Sequence, residues 1–224
     1  MITTVLIDID NTLLDFNACA KNAMCDGMTE VGLEFKDYMF DTFRTINDRL
    51  WVDIEKGTIT RKELHRDRFK LIFGELGVNY DGEAFEQIFL RYIFDSHEQV
   101  EGALDIVKYL SGKYSLYAAS NGLHKQQINR LTKAGMIQYF KDVFASEALG
   151  HQKPSVEFFE SVFSLLPETK KEEVIIIGDS LTADISGGIA FGIKTLWYNH
   201  YGEKNSKIVP DYKVDRLFEI KDIL

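Results

Sequence analysis

The sequence is poor in cysteine: Cys19 and Cys25 are the two thiols in 224 residues. A small scaffold stapled by several disulfides is thereby excluded. The two lie six residues apart in a stretch that reads as helix, an offset that does not share a face. They read as two buried thiols in a reducing compartment. Basic charge is also short. Lysine and arginine total 26 against 35 acidic residues, a formal net charge of -9, which excludes the broad basic face of a general nucleic-acid binder. An anionic small molecule is not excluded, but its site must draw positive charge locally, from a few lysines, backbone N–H groups or a metal. No apolar run approaches the roughly 20 residues of a membrane span. The N-terminus shows no basic segment followed by a cleavage site, and the first strand starts by Thr4. The expectation is a cytoplasmic protein with neither membrane nor nucleic acid as a partner. No G-x-G-x-x-G follows the first strand, which excludes the fingerprint of a nicotinamide-cofactor oxidoreductase. The five histidines are scattered without ligand spacing and receive no role.

Hydrophobic residues at 45% and charged residues at 27% describe an ordinary globular chain. Its length suits one good core with a smaller accessory domain. Short apolar runs recur at residues 4–7, 115–119, 174–177 and 193–197, the pattern of strands buried on both faces. Helical patterns separate several of them. One follows Gly102 and ends near Gly112; another opens at Pro154 and places Phe159, Val162, Phe163 and Leu166 on one face. This alternation predicts a parallel sheet covered by helices on both sides. Residues 16–96 break the rhythm. Phe35, Met39, Phe43, Ile46 and Leu50 recur at helical spacing, as do Phe85, Ile88, Phe89, Tyr92 and Ile93. Thr60 and Glu63 form a capping-box pattern, and Gly57 fits the end of the helix before it. The expected architecture is α/β: a Rossmann-like, doubly wound parallel core at 1–15 and 97–224, with an all-helical cap inserted at 16–96.

The first strand runs into Asp8-Ile9-Asp10-Asn11-Thr12, and strand alternation points Asp8 and Asp10 to one side. Two such carboxylates repel unless a cation or a shared proton relieves them. The strand at 174–177 runs into Gly178-Asp179-Ser180, with Asp184 soon after. Loops at the carboxyl ends of parallel strands converge on one crevice, so these acids can share a site, and oxygen-only ligands favour Mg²⁺. Alone, Asp184 is equally a turn or helix-cap residue. The strand before residue 120 ends in Ser120-Asn121-Gly122, ahead of a helix from about His124. A hydroxyl, an amide and a glycine there can hold a phosphate, or form a plain N-cap. Lys153 precedes Pro154 at a helix entrance, where an ammonium can neutralise a phosphate oxygen; by itself it also reads as a surface lysine.

Taken in order, Asp8-x-Asp10-x-Thr12, Ser120-Asn121, Lys153-Pro154 and Gly178-Asp179-Ser180-x-x-x-Asp184 resemble the four-motif signature of haloacid-dehalogenase-superfamily hydrolases, over nearly the whole chain. The resemblance implies that Asp8 is the nucleophile and a metal ligand. It makes Asp10 the acid and later base, with its backbone carbonyl on Mg²⁺, and gives Thr12 a role in orienting that acid or shaping the phosphate loop. It puts Ser120, Asn121 and Lys153 on the phosphoryl group, Asp179 on the metal, and Asp184 behind a metal-bound water or Lys153. Residues 47–53 and 57–60 in the cap, with Leu196-Trp197-Tyr198-Asn199, are similar to bacterial nucleotidases acting on pyrimidine nucleoside monophosphates. Trp51 would then stack on a base, or else be core. Val156 and Phe191 depart from the family's common proline and small residue, with packing rather than chemistry the expected consequence.

The implied activity is Mg²⁺-dependent hydrolysis of a small phosphorylated metabolite, a nucleoside 5′-monophosphate first. The rivals are a sugar-phosphate or phosphoglycolate phosphatase, a phosphomutase, and a haloacid dehalogenase, which has no use for a second acid because a halide leaves without a proton. A non-catalytic binding protein on the same scaffold would be expected to have lost some of Asp8, Asp10, Lys153 and Asp179; all four are present.

Overall fold

Val5 and Ile7 point to one side of the first strand and Leu6 to the other, and all three are fully buried. A strand so placed needs cover on both faces. The computed structural model describes residues 1–202 and 207–224. Among these, six strands form one sheet: β1 (Thr4–Ile7), β2 (Ser115–Ser120), β3 (Asp142–Ala145), β4 (Val174–Gly178), β5 (Lys194–Tyr198) and β6 (Tyr212–Val214). Their order is β3-β2-β1-β4-β5-β6, and every pairing is parallel. Ile7 pairs with Ala118 on one side and Ile177 on the other. The carboxyl ends of the three central strands are therefore level, so that Asp8, Ala119 and Gly178 come next in register.

The helices are α1 (Phe16–Glu30), α2 (Asp37–Glu55), α3 (Arg61–Leu76), α4 (Gly82–Asp95), α5 (Ala103–Ser111), α6 (His124–Lys133), α7 (Ser146–Leu149), α8 (Val156–Ser164) and α9 (Ser186–Phe191). On one face of the sheet, Val5, Ile7, Leu116 and Ile177 pack with Ile106 and Leu110 of α5, Leu131 of α6, and Leu217 and Ile220 near the C-terminus. On the other, Leu6, Ala119 and Ile176 pack with Phe158, Phe159 and Val162 of α8 and Phe191 of α9. The β strands and intervening helices follow the apolar runs, with two additions. The edge strands β3 and β6 are short, and β6 is largely exposed, so neither carries a long apolar run. One helix start also differs. Ser155 caps α8 by accepting from the Phe158 N–H at 3.3 Å, so Pro154 precedes the helix instead of opening it.

The chain divides into two compact units, residues 1–15 with 97–224 and residues 16–96. The second unit is α1 to α4 around a core that includes Phe43, Phe69, Phe85 and Phe89. Its capping box forms in full: the Glu63 N–H donates to Thr60 Oγ at 3.2 Å, and the Thr60 N–H to Glu63 Oε2 at 2.8 Å. Gly57 follows α2 with a φ of 71°, the left-handed conformation a helix stop requires. Trp51 packs against this core while half-buried. Cys19 is buried, Cys25 is partly exposed, and neither is in a disulfide. No helix among the described residues is long and apolar enough to cross a membrane.

Candidate active site

Asp8 is the first residue past β1, and its N–H extends the ladder to Ile177 O at 2.8 Å. Its side chain is buried, and Lys153 Nζ donates to its Oδ1 at 2.6 Å. The same ammonium donates to Asp184 Oδ1 and to Ala119 O, each at 2.6 Å. An ammonium has three protons, so the buried lysine is fixed in space. Asn121 clamps the backbone beside it: Oδ1 accepts from the Lys153 N–H at 2.8 Å and Nδ2 donates to Lys153 O at 2.9 Å. The surface-lysine reading of Lys153 is thus excluded.

Burial pushes the Asp8 carboxyl up to about 7; Lys153 pulls it back, while Asp184 and Asp10 push it further. Burial, then Asp8 and Asp184, hold Asp179 well above the carboxylate range. For Lys153, burial acts downward, but Asp184 and Asp8 outweigh it and the net shift is upward. The shared cause is an excess of carboxylate over ammonium in a space withdrawn from water, the condition a bound cation relieves. Asp8, Asp179 and Asp184 each offer an oxygen, and these oxygens lie within 4.8 Å of one another. A donor set made only of oxygen fits Mg²⁺.

Two local devices hold the acids. A Cβ on Gly178 would lie 2.1 Å from Asp184 Oδ2, so the bare glycine lets Asp184 fold back over the end of β4. The chain makes a π-helical turn at Leu181–Ile185, and the Ser180 N–H donates to Asp184 Oδ2 at 3.2 Å. Thr12 is buried, and its hydroxyl accepts from the Asp179 N–H at 3.1 Å and donates to Asp179 Oδ1 at 3.2 Å. That hydroxyl ties the β1 loop to the β4 loop. Asn11, with a φ of 59°, makes the reversal between Asp10 and Thr12, a conformation asparagine tolerates.

The carboxylate of Asp10 is taken up elsewhere. Arg130 Nη1 donates to Oδ1 at 2.5 Å and Gln127 Nε2 to Oδ2 at 2.6 Å. The third acid of the oxygen group is thus Asp184, which the resemblance put behind a metal-bound water or Lys153. Ser120 Oγ accepts from the Gly122 N–H at 2.9 Å and from Gln127 Nε2 at 2.8 Å. With both lone pairs used, its proton is its contribution to a ligand. Leu123, with no side-chain cap, is the N-cap of α6, so Ser120 and Asn121 do not cap that helix.

Gln127 and Arg130 escaped the sequence reading, and Trp197, named there within the nucleotidase-like segment, was given no contact with the acids. Trp197 Nε1 donates to Asp179 O at 2.8 Å. Gln127, Arg130 and Leu131 form the buried stripe of α6, and the signal was present in that spacing: two long polar residues occupy positions where a helix normally turns apolar groups inward.

A family model described as haloacid dehalogenase-like hydrolase matches residues 2–192. The chain is 37% identical to the HAD-hydrolase YfnB of Bacillus subtilis over 222 residues, covering 99% of this chain and 94% of that protein. It is also 37% identical to the pyrimidine 5′-nucleotidase PynA of Streptococcus pneumoniae, covering 98% and 94%. The crystal structure of YfnB bound to magnesium superposes with a TM-score of 0.95 over 100% of this chain and 98% of that one. Four motifs on the predicted strands, the level strand ends that gather them, and these full-length likenesses agree: the chain belongs to the haloacid dehalogenase-like hydrolases.

Proposed function

We propose that the protein is a Mg²⁺-dependent phosphomonoesterase that passes through an aspartyl-phosphate on Asp8, with a pyrimidine nucleoside 5′-monophosphate as the preferred substrate. The observation that carries this reading is the convergence on Asp8 of a fully ordered ammonium and two further carboxylates at the level ends of β1, β2 and β4. The Ser120 hydroxyl takes up a phosphoryl oxygen, and Lys153 takes up another by exchanging its bond to Asp8 for it as that carboxylate attacks. An Asp8 carboxylate oxygen attacks phosphorus in line, and the substrate's alkoxide leaves with a proton from Asp10. Asp10 then accepts a proton from water as that water attacks phosphorus, returning free Asp8 and inorganic phosphate. Asp8, Asp179, Asp184 and the Asp10 carbonyl would hold Mg²⁺, whose positive charge would offset that of the phosphoryl oxygens. The choice of substrate draws support from the named activity of PynA, and we assign base stacking to Trp51 of the helical unit.

The test has two parts. Acid-quenched enzyme should carry its phosphoryl adduct on Asp8 by mass spectrometry, and Asp8→Asn should lose about a thousandfold or more in kcat, since an amide cannot attack phosphorus. An adduct on Ser120, or an active Asp8→Asn enzyme, removes the mechanism. A screen of nucleoside monophosphates and sugar phosphates with Mg²⁺ decides the substrate; a sugar phosphate hydrolysed best removes the nucleotidase assignment.

A further inference from the structure

Gln127 bridges two parts of the site that come from different strands. Its Nε2 donates to Asp10 Oδ2 at 2.6 Å and to Ser120 Oγ at 2.8 Å, and its Oε1 accepts from Arg130 Nη1 at 3.1 Å. The amide can face only one way, because a guanidinium donates and a carboxylate accepts. Gln127 and Arg130 are both fully buried. Gly122 makes the room: a Cβ there would stand 2.4 Å from Gln127 Nε2 and 2.9 Å from Cδ. A neutral amide adds no charge to the site. What it adds is a fixed separation between the Asp10 carboxylate and the Ser120 hydroxyl.

We infer that Gln127, seated by Arg130 and admitted by Gly122, is a positioning residue for the hydrolysis: it holds Asp10 in line with the leaving oxygen while Ser120 holds the phosphoryl group. The inference rests on the assignment of Asp10 as the acid. Loss of Gln127 then harms substrates in proportion to their need for a proton. A nucleoside 5′-monophosphate expels an alkoxide and needs one; p-nitrophenyl phosphate expels a stable phenolate and does not.

Gln127→Met keeps the side chain's length and removes both N–H donors. Gly122→Ala removes no polar group and displaces the Gln127 amide by contact alone. Each variant is assayed with both substrates at saturating Mg²⁺ on one preparation, so the folded fraction cancels from the ratio of kcat/KM values. The nucleotide-to-aryl ratio should fall about a hundredfold in each, the scale of a misplaced reacting group, and Asp10→Asn should fall at least as far. A ratio unchanged in either variant, including equal loss on both substrates, overturns the inference when Asp10→Asn lowers it. A ratio unchanged in Asp10→Asn instead overturns the assignment of Asp10, and this inference with it.

Discussion

Gly178 shows how little space a residue needs to matter. The position its Cβ would take lies 2.1 Å from Asp184 Oδ2 and 2.3 Å from Cγ, well inside contact distance. Gly178→Ala must therefore move Asp184, which is bonded to both Lys153 Nζ and the Ser180 N–H. The displaced acid loosens the lysine that faces Asp8. We expect a Mg²⁺ affinity about 10–100-fold weaker in this variant, the usual cost of disturbing groups that orient a metal site, measured by calorimetry. An unchanged affinity would mean that Asp184 neither binds nor orients the ion. Phe191, which departs from the family's small residue, stacks on Phe159 at 5.5 Å and meets Phe163 at 4.9 Å. The substitution at this point is one of packing.

Among the elements, the helical unit holds a charge inside its core. Glu86 is fully buried and accepts from Arg68 Nη2 at 2.5 Å and Nε at 3.1 Å, with His65 Nδ1 at 2.8 Å from Oε1. Arg68 also donates to Asn47 Oδ1 at 3.0 Å and lies 4.7 Å from the Phe89 ring centre. A buried pair is not by itself a large stabiliser, but removing one partner strands the other. Glu86→Gln should destabilise the protein by about 3–5 kcal/mol, read by urea melts, while Arg68→Met with Glu86→Leu should cost far less. If the single change is neutral, the pair is not a matched charge pair. Trp51 in α2 offers a separate test. As a base-stacking residue, Trp51→Ala should lose about 1–3 kcal/mol in kcat/KM for nucleotides, with little change on p-nitrophenyl phosphate. As a core residue it should cost about 3–5 kcal/mol of stability and show no substrate preference.

For the molecule as a whole, the acid cluster sets how stability depends on pH. The Asp8 carboxyl titrates near 7 in the fold against an ordinary value of 3.8, because burial disfavours its charge. Asp179 is displaced in the same direction. A folded state that holds protons more tightly than the unfolded chain loses stability as pH rises between those values. Lys153 is raised from 10.5, so its contribution is fully present throughout this range and adds no slope. Melting temperature in EDTA should accordingly drop from about pH 5 to about pH 8 by linkage. The increment on adding Mg²⁺ should grow over the same interval, because protons compete with the ion for these oxygens. An increment that is flat, or largest at the acid end, would contradict the assigned cluster.

Strand alternation and apolar runs are local properties, so β1, β2, β4, β5 and the helix stripes of residues 16–96 were legible before any coordinates. So was the order of Asp8, Asp10, Ser120, Lys153 and Asp179 along the chain, which carries the family resemblance. The short edge strands were not, because an edge strand depends on a neighbour to pair with more than on its own composition. The partners within the site were also decided only by tertiary structure. Asp10 and Gln127 are 117 residues apart, and Lys153 and Asp8 are 145 apart; no periodicity spans such a gap. Which acid joins the oxygen cluster, and which is held by α6, follows from strand register and from the room left at Gly178 and Gly122. Those are properties of the packed sheet, because a hydrogen bond forms only where folding has brought donor and acceptor within about 3 Å.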